Sequence, residues 1–227
     1  MPAALCKPSP PLADSARRPY ACTTRQAEDL VRIFDAGMQV VRWRRRADPA
    51  ITAFLQQAAA SGALGSGFRT TVAANRRVDP ALLPDGPDRL AMIDDIHGLS
   101  SLYSDLLGCP AVGLRLEVLR HAMCPRFHVD RTGIRLTCAY LGPGTEWIDD
   151  AGVDRDRLGR GSTGLPDHAS GLFDRGTTVE AACSFDVVLL KGTLWPDNAA
   201  RGAIHRSPAV PSVDEPRILL AMDAIWN

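Results

Sequence analysis

The spacing of apolar positions changes near the middle of the chain. From Thr24, Ala27, Leu30, Val31 and Phe34 recur at helical spacing, with Thr23 or Thr24 placed to cap the helix and Gly37 to end it. Val41 and Trp43 then alternate with Arg42 and Arg44, which predicts a short strand. Asp48-Pro49 opens a second helix with Ile51, Phe54, Leu55 and Ala58 on one face, ended by Gly62 and Gly65. The clearest helix begins near Pro87-Asp88 and runs to Gly108, because Met92, Ile96, Leu99, Tyr103 and Leu106 repeat at steps of four and three. After Cys109 the period falls to two: Val112, Leu114, Leu116 and Val118 alternate with Gly113, Arg115 and Glu117. Further strands are predicted over 127–130, 135–141, 177–183, 186–190, 203–206 and 217–225. A Gly- and Asp-rich stretch, 149–176, interrupts them and is long enough for a lid or a disordered loop.

Helices first and strands afterwards predict an α+β protein whose helices buttress an antiparallel sheet or closed barrel. Residues 1–22 carry Pro2, Pro8, Pro10, Pro11 and Pro19 without a periodic apolar face, so a flexible arm is expected there. A single domain over 23–227 follows, with 23–108 as helical support and 109–227 as the β core.

Composition narrows the function classes. Lys plus Arg and Asp plus Glu stand at 26 each, which removes the positive field that would hold a phosphate backbone, so no nucleic-acid partner is expected. No apolar run approaches the ~20 residues of a spanning helix, and no membrane association is expected. The six cysteines are scattered without a CxxC pair, as in a reduced, cytoplasmic protein. The basic cluster Arg42, Arg44, Arg45 and Arg46 reads as a solvated edge strand in preference to an anion site.

Chemistry concentrates in Cys124-Pro125-Arg126-Phe127-His128-Val129-Asp130. On a strand, His128 and Asp130 share a face, so one metal ion can touch both, and His205 on a late strand can supply a third ligand. Two imidazoles and a carboxylate with open positions form the ligand set of non-haem Fe(II) oxygenases, and zinc accepts the same donors. Cys124 either folds back as a fourth ligand, closing the site for zinc, or is a small buried residue. Trp147 and Glu146 either line a pocket mouth or belong to an ordinary turn with a core-facing indole. His97, His121 and His168 read as structural or solvated.

The stretch "RHAMCPRFHVDRTGIRLTCAYLG" resembles the Fe(II)- and 2-oxoglutarate-dependent dioxygenases, particularly prolyl-hydroxylase-like members. "DVVLLKG", "HRSP" and "RILLAMDAIW" continue the likeness in the same order, over about 110–227. The blocks "CPRFHVD", "GPGTEW", "LLKG" and "HRSP" further resemble a bacterial family labelled only as domain of unknown function 1826, often linked to zinc-responsive genes.

The dioxygenase resemblance implies a double-stranded β-helix of the jelly-roll or cupin type and Fe(II) held by His128, Asp130 and His205. It also implies 2-oxoglutarate gripped by Arg217, twelve residues after His205, where the hydroxyl residue common at plus two is replaced by Leu219. Arg135, Arg206 and Lys191 are substitutes for that cation, and Tyr140 could donate its phenol to the same carboxylate. The expected activity is oxidation of an unidentified small-molecule or protein substrate. The rival expectation is a cupin-like zinc-binding protein that stores, delivers or senses metal. A third is a barrel that has lost catalysis and serves as an interaction module.

Overall fold

The computed structural model describes residues 20–174, 176–210, 212 and 214–226. The arm expected over 1–22 lies outside these residues up to position 19. Its last three residues open onto the first strand, β1 (Ala21–Thr24), which pairs in parallel with β2 (Val40–Trp43). Between them, Ala27–Phe34 forms a 3-10 helix where an α-helix is expected; Leu30 and Ile33 anchor it in the core.

The helix α1 (Pro49–Ala60) starts where Asp48-Pro49 predicts. The Asp48 carboxylate accepts from the amides of Ala50 and Ile51, and proline occupies a position whose amide would have no partner. The edge strand β3 (Gly67–Ala73), which is half-polar and has no clean alternation, escapes the sequence pattern. The long helix α2 (Arg89–Leu107) ends at Gly108 in the left-handed conformation.

The remaining strands are β4 (Ala111–Leu119), β5 (Ile134–Leu141), β6 (Glu146–Ile148), β7 (Val179–Ala181), β8 (Val187–Lys191), β9 (His205–Arg206) and β10 (Arg217–Ile225). They form a seven-stranded sheet, β1-β2-β8-β5-β10-β4-β3, and a three-stranded sheet, β7-β6-β9. The strand expected at 127–130 is reduced to one bridge, His128 opposite His205.

Alternation divides the large sheet into two faces. Leu114 and Leu116 of β4, Leu136, Cys138 and Tyr140 of β5, and Leu220 and Met222 of β10 pack in one cluster with Phe54 and Leu55 of α1 and with Met92, Ile96 and Tyr103 of α2. The helices thus cover one face. The residues between these positions, Arg115, Glu117, Arg135, Thr137, Arg217, Leu219 and Ala221, turn the other way and line a cavity.

The basic cluster departs from expectation. Arg45 forms a two-toothed ion pair with Asp95 of α2 (2.7 and 3.1 Å) and donates from Nε to the Phe185 carbonyl, while Tyr140 donates to the same carboxylate at 2.5 Å. Arg42 pairs with buried Asp186. Two of the four arginines are therefore fastened inside the domain, because the chain brings carboxylates to them from 50 and 144 residues away.

Among the described residues, the stretch 149–176 is mostly exposed but anchored to the domain through Asp167, Ser170 and Leu172. It holds two short 3-10 helices, Arg155–Arg157 and Gly159–Ser162, and Leu172 joins Phe127, Ile148 and Ile204 in a separate small core. Among the described residues, no helix is long and apolar enough to cross a membrane.

Candidate metal centre

His128 and His205 are joined by two backbone hydrogen bonds of 3.0 Å, each amide donating to the other's carbonyl. This pairing brings the ring centroids to 4.5 Å. Two residues on, Asp130 is fixed by its carbonyl, which accepts from the Thr193 amide at 3.0 Å. The turn that delivers Thr193 needs Gly192: a β-carbon there would lie 2.3 Å from the Thr132 carbonyl oxygen and 2.9 Å from that of Asp130.

Within this frame, His128 Nε2 is 3.5 Å from Asp130 Oδ1 and His205 Nε2 is 3.5 Å from Asp130 Oδ2. The ligand atoms of His128, Asp130 and His205 all lie within 4.8 Å of one another. Two imidazole nitrogens and one carboxylate oxygen are a donor set that either iron or zinc accepts.

The imidazole tautomers are fixed as well. His128 Nδ1 lies 2.9 Å from the Arg126 carbonyl oxygen, and His205 Nδ1 lies 2.9 Å from that of Ala203. A carbonyl only accepts, so each Nδ1 carries the hydrogen and each Nε2 presents its lone pair to the centre. Burial would lower the His128 pKa, but in the imidazolium form an Nε2–H facing Asp130 and an Nδ1–H donating to the Arg126 carbonyl outweigh it and the pKa rises. Burial likewise opposes ionisation of Asp130, yet the two histidines and Arg135 hold its carboxyl far below the usual carboxylate range.

A cavity of about 80 Å³ extends from these three side chains to Arg217. Arg217 is 1% exposed. Its Nε donates to the Pro143 carbonyl at 2.7 Å, while its Nη1 is buried without a hydrogen-bond partner. Burial pushes its pKa down to about 10, so the guanidinium stays charged at neutral pH. Gly142 allows this fit: with φ at 78°, its backbone packs where a β-carbon would come within 3.2 Å of the Arg217 α-carbon.

The other candidates for holding a cosubstrate are placed differently. Tyr140 is five residues from Arg135 on one strand, so the two face opposite sides. Its phenol lies among the helices, bonded to Asp95 and packed edge-on against Phe185, away from the cavity. Arg135 does face the cavity, but its guanidinium is engaged by Asp223 and Asp130. Arg206 is taken by Glu146 (2.6 Å) and Asp167 (2.9 Å), with its guanidinium over the Phe127 ring. Lys191 is buried outside the lining of this cavity.

Cys124 lines the cavity, but its sulfur is not part of the three-residue ligand cluster. Burial pushes its thiol pKa up, and the nearby Asp130 charge adds to the rise. Trp147 is 3% exposed and packs with Tyr20, Val40 and Val188, the core-facing alternative for this residue. His97 lies on α2 with Nδ1 3.3 Å from the Arg76 carbonyl, away from the centre.

Three groups on the cavity side of the sheet escape a reading of the sequence: Arg115 and Glu117, which line the cavity, and Asp223, which shares their face and pairs with Arg115 and Arg135. Glu117 is 7% exposed; one oxygen accepts from Arg69 at 2.6 Å, and the other has no hydrogen-bond partner. Parity was the available signal for Asp223, which is six residues after Arg217 on the same strand and so shares its face.

No curated protein matches the chain. Among solved structures it resembles a dioxygenase for auxin oxidation from rice, at 15% identity over 88% of this chain and 78% of that one, with a TM-score of 0.46. It also resembles dioxygenase for auxin oxidation 1 from Arabidopsis thaliana in complex with 2-oxoglutarate (10% identity, 91% and 92% covered, TM-score 0.47). A Pseudomonas putida prolyl-4-hydroxylase is similar at 11% identity, 89% and 95% covered, with a TM-score of 0.42. The blocks around His128 and His205 fall within a longer match, and the chain belongs to the family described as Protein of unknown function (DUF1826), which covers residues 24–223.

Proposed function

We propose that this protein is an Fe(II)- and 2-oxoglutarate-dependent oxygenase whose two sheets are the walls of a double-stranded β-helix. The observation that carries this reading is Arg217: a buried, charged guanidinium with an unpartnered Nη1, lining the same small cavity as the His128, Asp130 and His205 cluster. A buried guanidinium with one nitrogen unpartnered costs stability, and a carboxylate from a bound oxo acid would supply the missing acceptor.

His128, Asp130 and His205 would hold the metal through two neutral nitrogens and one oxygen, leaving positions open for ligands. Arg217 would bind the distal carboxylate of 2-oxoglutarate and orient its oxo-acid end toward the metal. The Arg206–Asp167 pair, which ties the cavity-lining Arg206 to the stretch 149–176, would narrow access for bulk water on that side. When bound, the metal supplies the activation of O2 that couples decarboxylation of the oxo acid to oxidation of a substrate. The placing of Cys124 outside the ligand cluster favours this open centre over a zinc site closed by a thiolate.

The test is anaerobic reconstitution with Fe(II), followed by addition of 2-oxoglutarate and O2. Succinate should accumulate, even slowly without a substrate, and His128→Ala should abolish both succinate release and stoichiometric metal binding. A protein that binds metal but neither binds nor turns over 2-oxoglutarate would refute the oxygenase reading.

A further inference from the structure

Asp130 is the end of a chain of ion pairs that crosses three strands. Asp223 of β10 lies directly opposite Arg135 of β5 in the sheet register. Arg135 donates from Nε to Asp223 Oδ1 at 2.8 Å and from Nη2 to Oδ2 at 2.9 Å, a parallel pair that fixes the plane of the guanidinium. Arg115 of β4 donates to the same Oδ2 at 3.1 Å. The remaining edge of Arg135 is thereby aimed away from Asp223, and its Nη1 donates to Asp130 Oδ2.

We infer that Arg135 and Asp223 are positioning residues for the metal-binding carboxylate, acting as a relay that fixes the rotation of Asp130. This rests on the metal-centre reading above. With Oδ2 held by Arg135, the carboxylate cannot swing away from the imidazoles, and Oδ1 stays facing His128 Nε2 at 3.5 Å. Asp223 acts at one remove: it touches no candidate ligand, and its two oxygens set where Arg135 points. Arginine is required in the middle because a lysine ammonium has no second, rigidly spaced edge with which to serve both carboxylates. The four side chains are between 16% and 28% exposed, shielded enough for the pairs to act with less screening than surface ion pairs.

The experiment is Co(II) titration of the full chain, read by calorimetry and by the visible absorption of the bound ion, which reports its ligand geometry. Asp223→Asn keeps the shape of residue 223 and removes its charge. It should weaken Co(II) binding by about tenfold to a hundredfold, the usual effect of losing a partner behind a metal ligand, and should alter the spectrum. Arg135→Gln should weaken it further, with Arg135→Lys between Gln and wild type. Asp95→Asn, which disturbs the ion pair on the opposite face of the sheet, is the control: it should lower thermal stability and leave Co(II) affinity unchanged. Wild-type affinity and spectrum in Asp223→Asn would overturn the relay while leaving the metal centre intact. Failure of the wild-type chain to bind Co(II) would instead remove the metal centre, and the relay with it.

Discussion

Arg217→Met is expected to lower the affinity for 2-oxoglutarate by between about 30-fold and 4,000-fold, because removing one member of a desolvated charge pair costs roughly 2–5 kcal/mol of binding. Calorimetric titration of the Mn(II)-loaded protein measures it directly. The same substitution should leave the melting temperature of the ligand-free protein unchanged or raise it. Arg217 holds a charge almost wholly out of water with Nη1 unpartnered, and methionine fills similar volume without that desolvation cost. Arg217→Lys should not restore binding, since an ammonium cannot hold the Pro143 carbonyl and offer a flat donor edge together. Binding lost while stability is kept marks a group retained for a ligand. A lower melting temperature with unchanged binding would make Arg217 a structural residue.

The second large effect belongs to stability alone. Asp95→Ala removes the carboxylate that Arg45 and Tyr140 share beneath the sheet, leaving a half-buried guanidinium with the Phe185 carbonyl but no carboxylate, and a fully buried phenol without its acceptor. Deleting one partner of a buried ion pair costs about 3–5 kcal/mol, and this pair, partly shielded and joined to a fully buried phenol, is expected at or below that range. At roughly 2–4 °C per kcal/mol for a domain of this size, the melting temperature should fall by as much as about 6–20 °C in a thermal scan. Metal binding should survive, because this network faces the helices and the ligand cluster faces the cavity. A drop smaller than about 2 °C would show that water enters and takes over the role of the lost carboxylate.

These two sites differ in how far the sequence reveals them. His128 and Asp130 are two apart, and a two-residue step on extended chain decides a shared face from local geometry. The long helices were visible for the same reason: Asp48, Pro49 and Gly108 act on their immediate neighbours. Faces are also decided locally, so parity already separates Tyr140 from Arg135 and joins Asp223 to Arg217. Partners are not decided locally. Nothing near Arg45 announces that Asp95 will reach it, and the cluster of charges around Trp43 therefore resembles a solvated edge. The short strands β1 and β6 were hidden because Ala21-Cys22-Thr23-Thr24 and Glu146-Trp147-Ile148 carry no apolar–polar alternation to recognise.

The backbone pairing of His128 with His205 has a consequence for how the proposed metal centre would be loaded. In many small metal-binding domains the ligands come together only when the ion binds, so that metal binding and folding are one event. Here the two strand segments are stitched by peptide hydrogen bonds, and each imidazole is pinned by a carbonyl two residues before it in the chain. The vessel is finished before it is filled. A chelator should therefore strip the ion without unfolding the chain, and the metal should stabilise only by mass action, by about 2.7 kcal/mol at a hundredfold excess over its dissociation constant. A metal centre of the proposed kind would then exchange its ion with the surroundings while the protein stays folded, tying its loading to the local supply of metal.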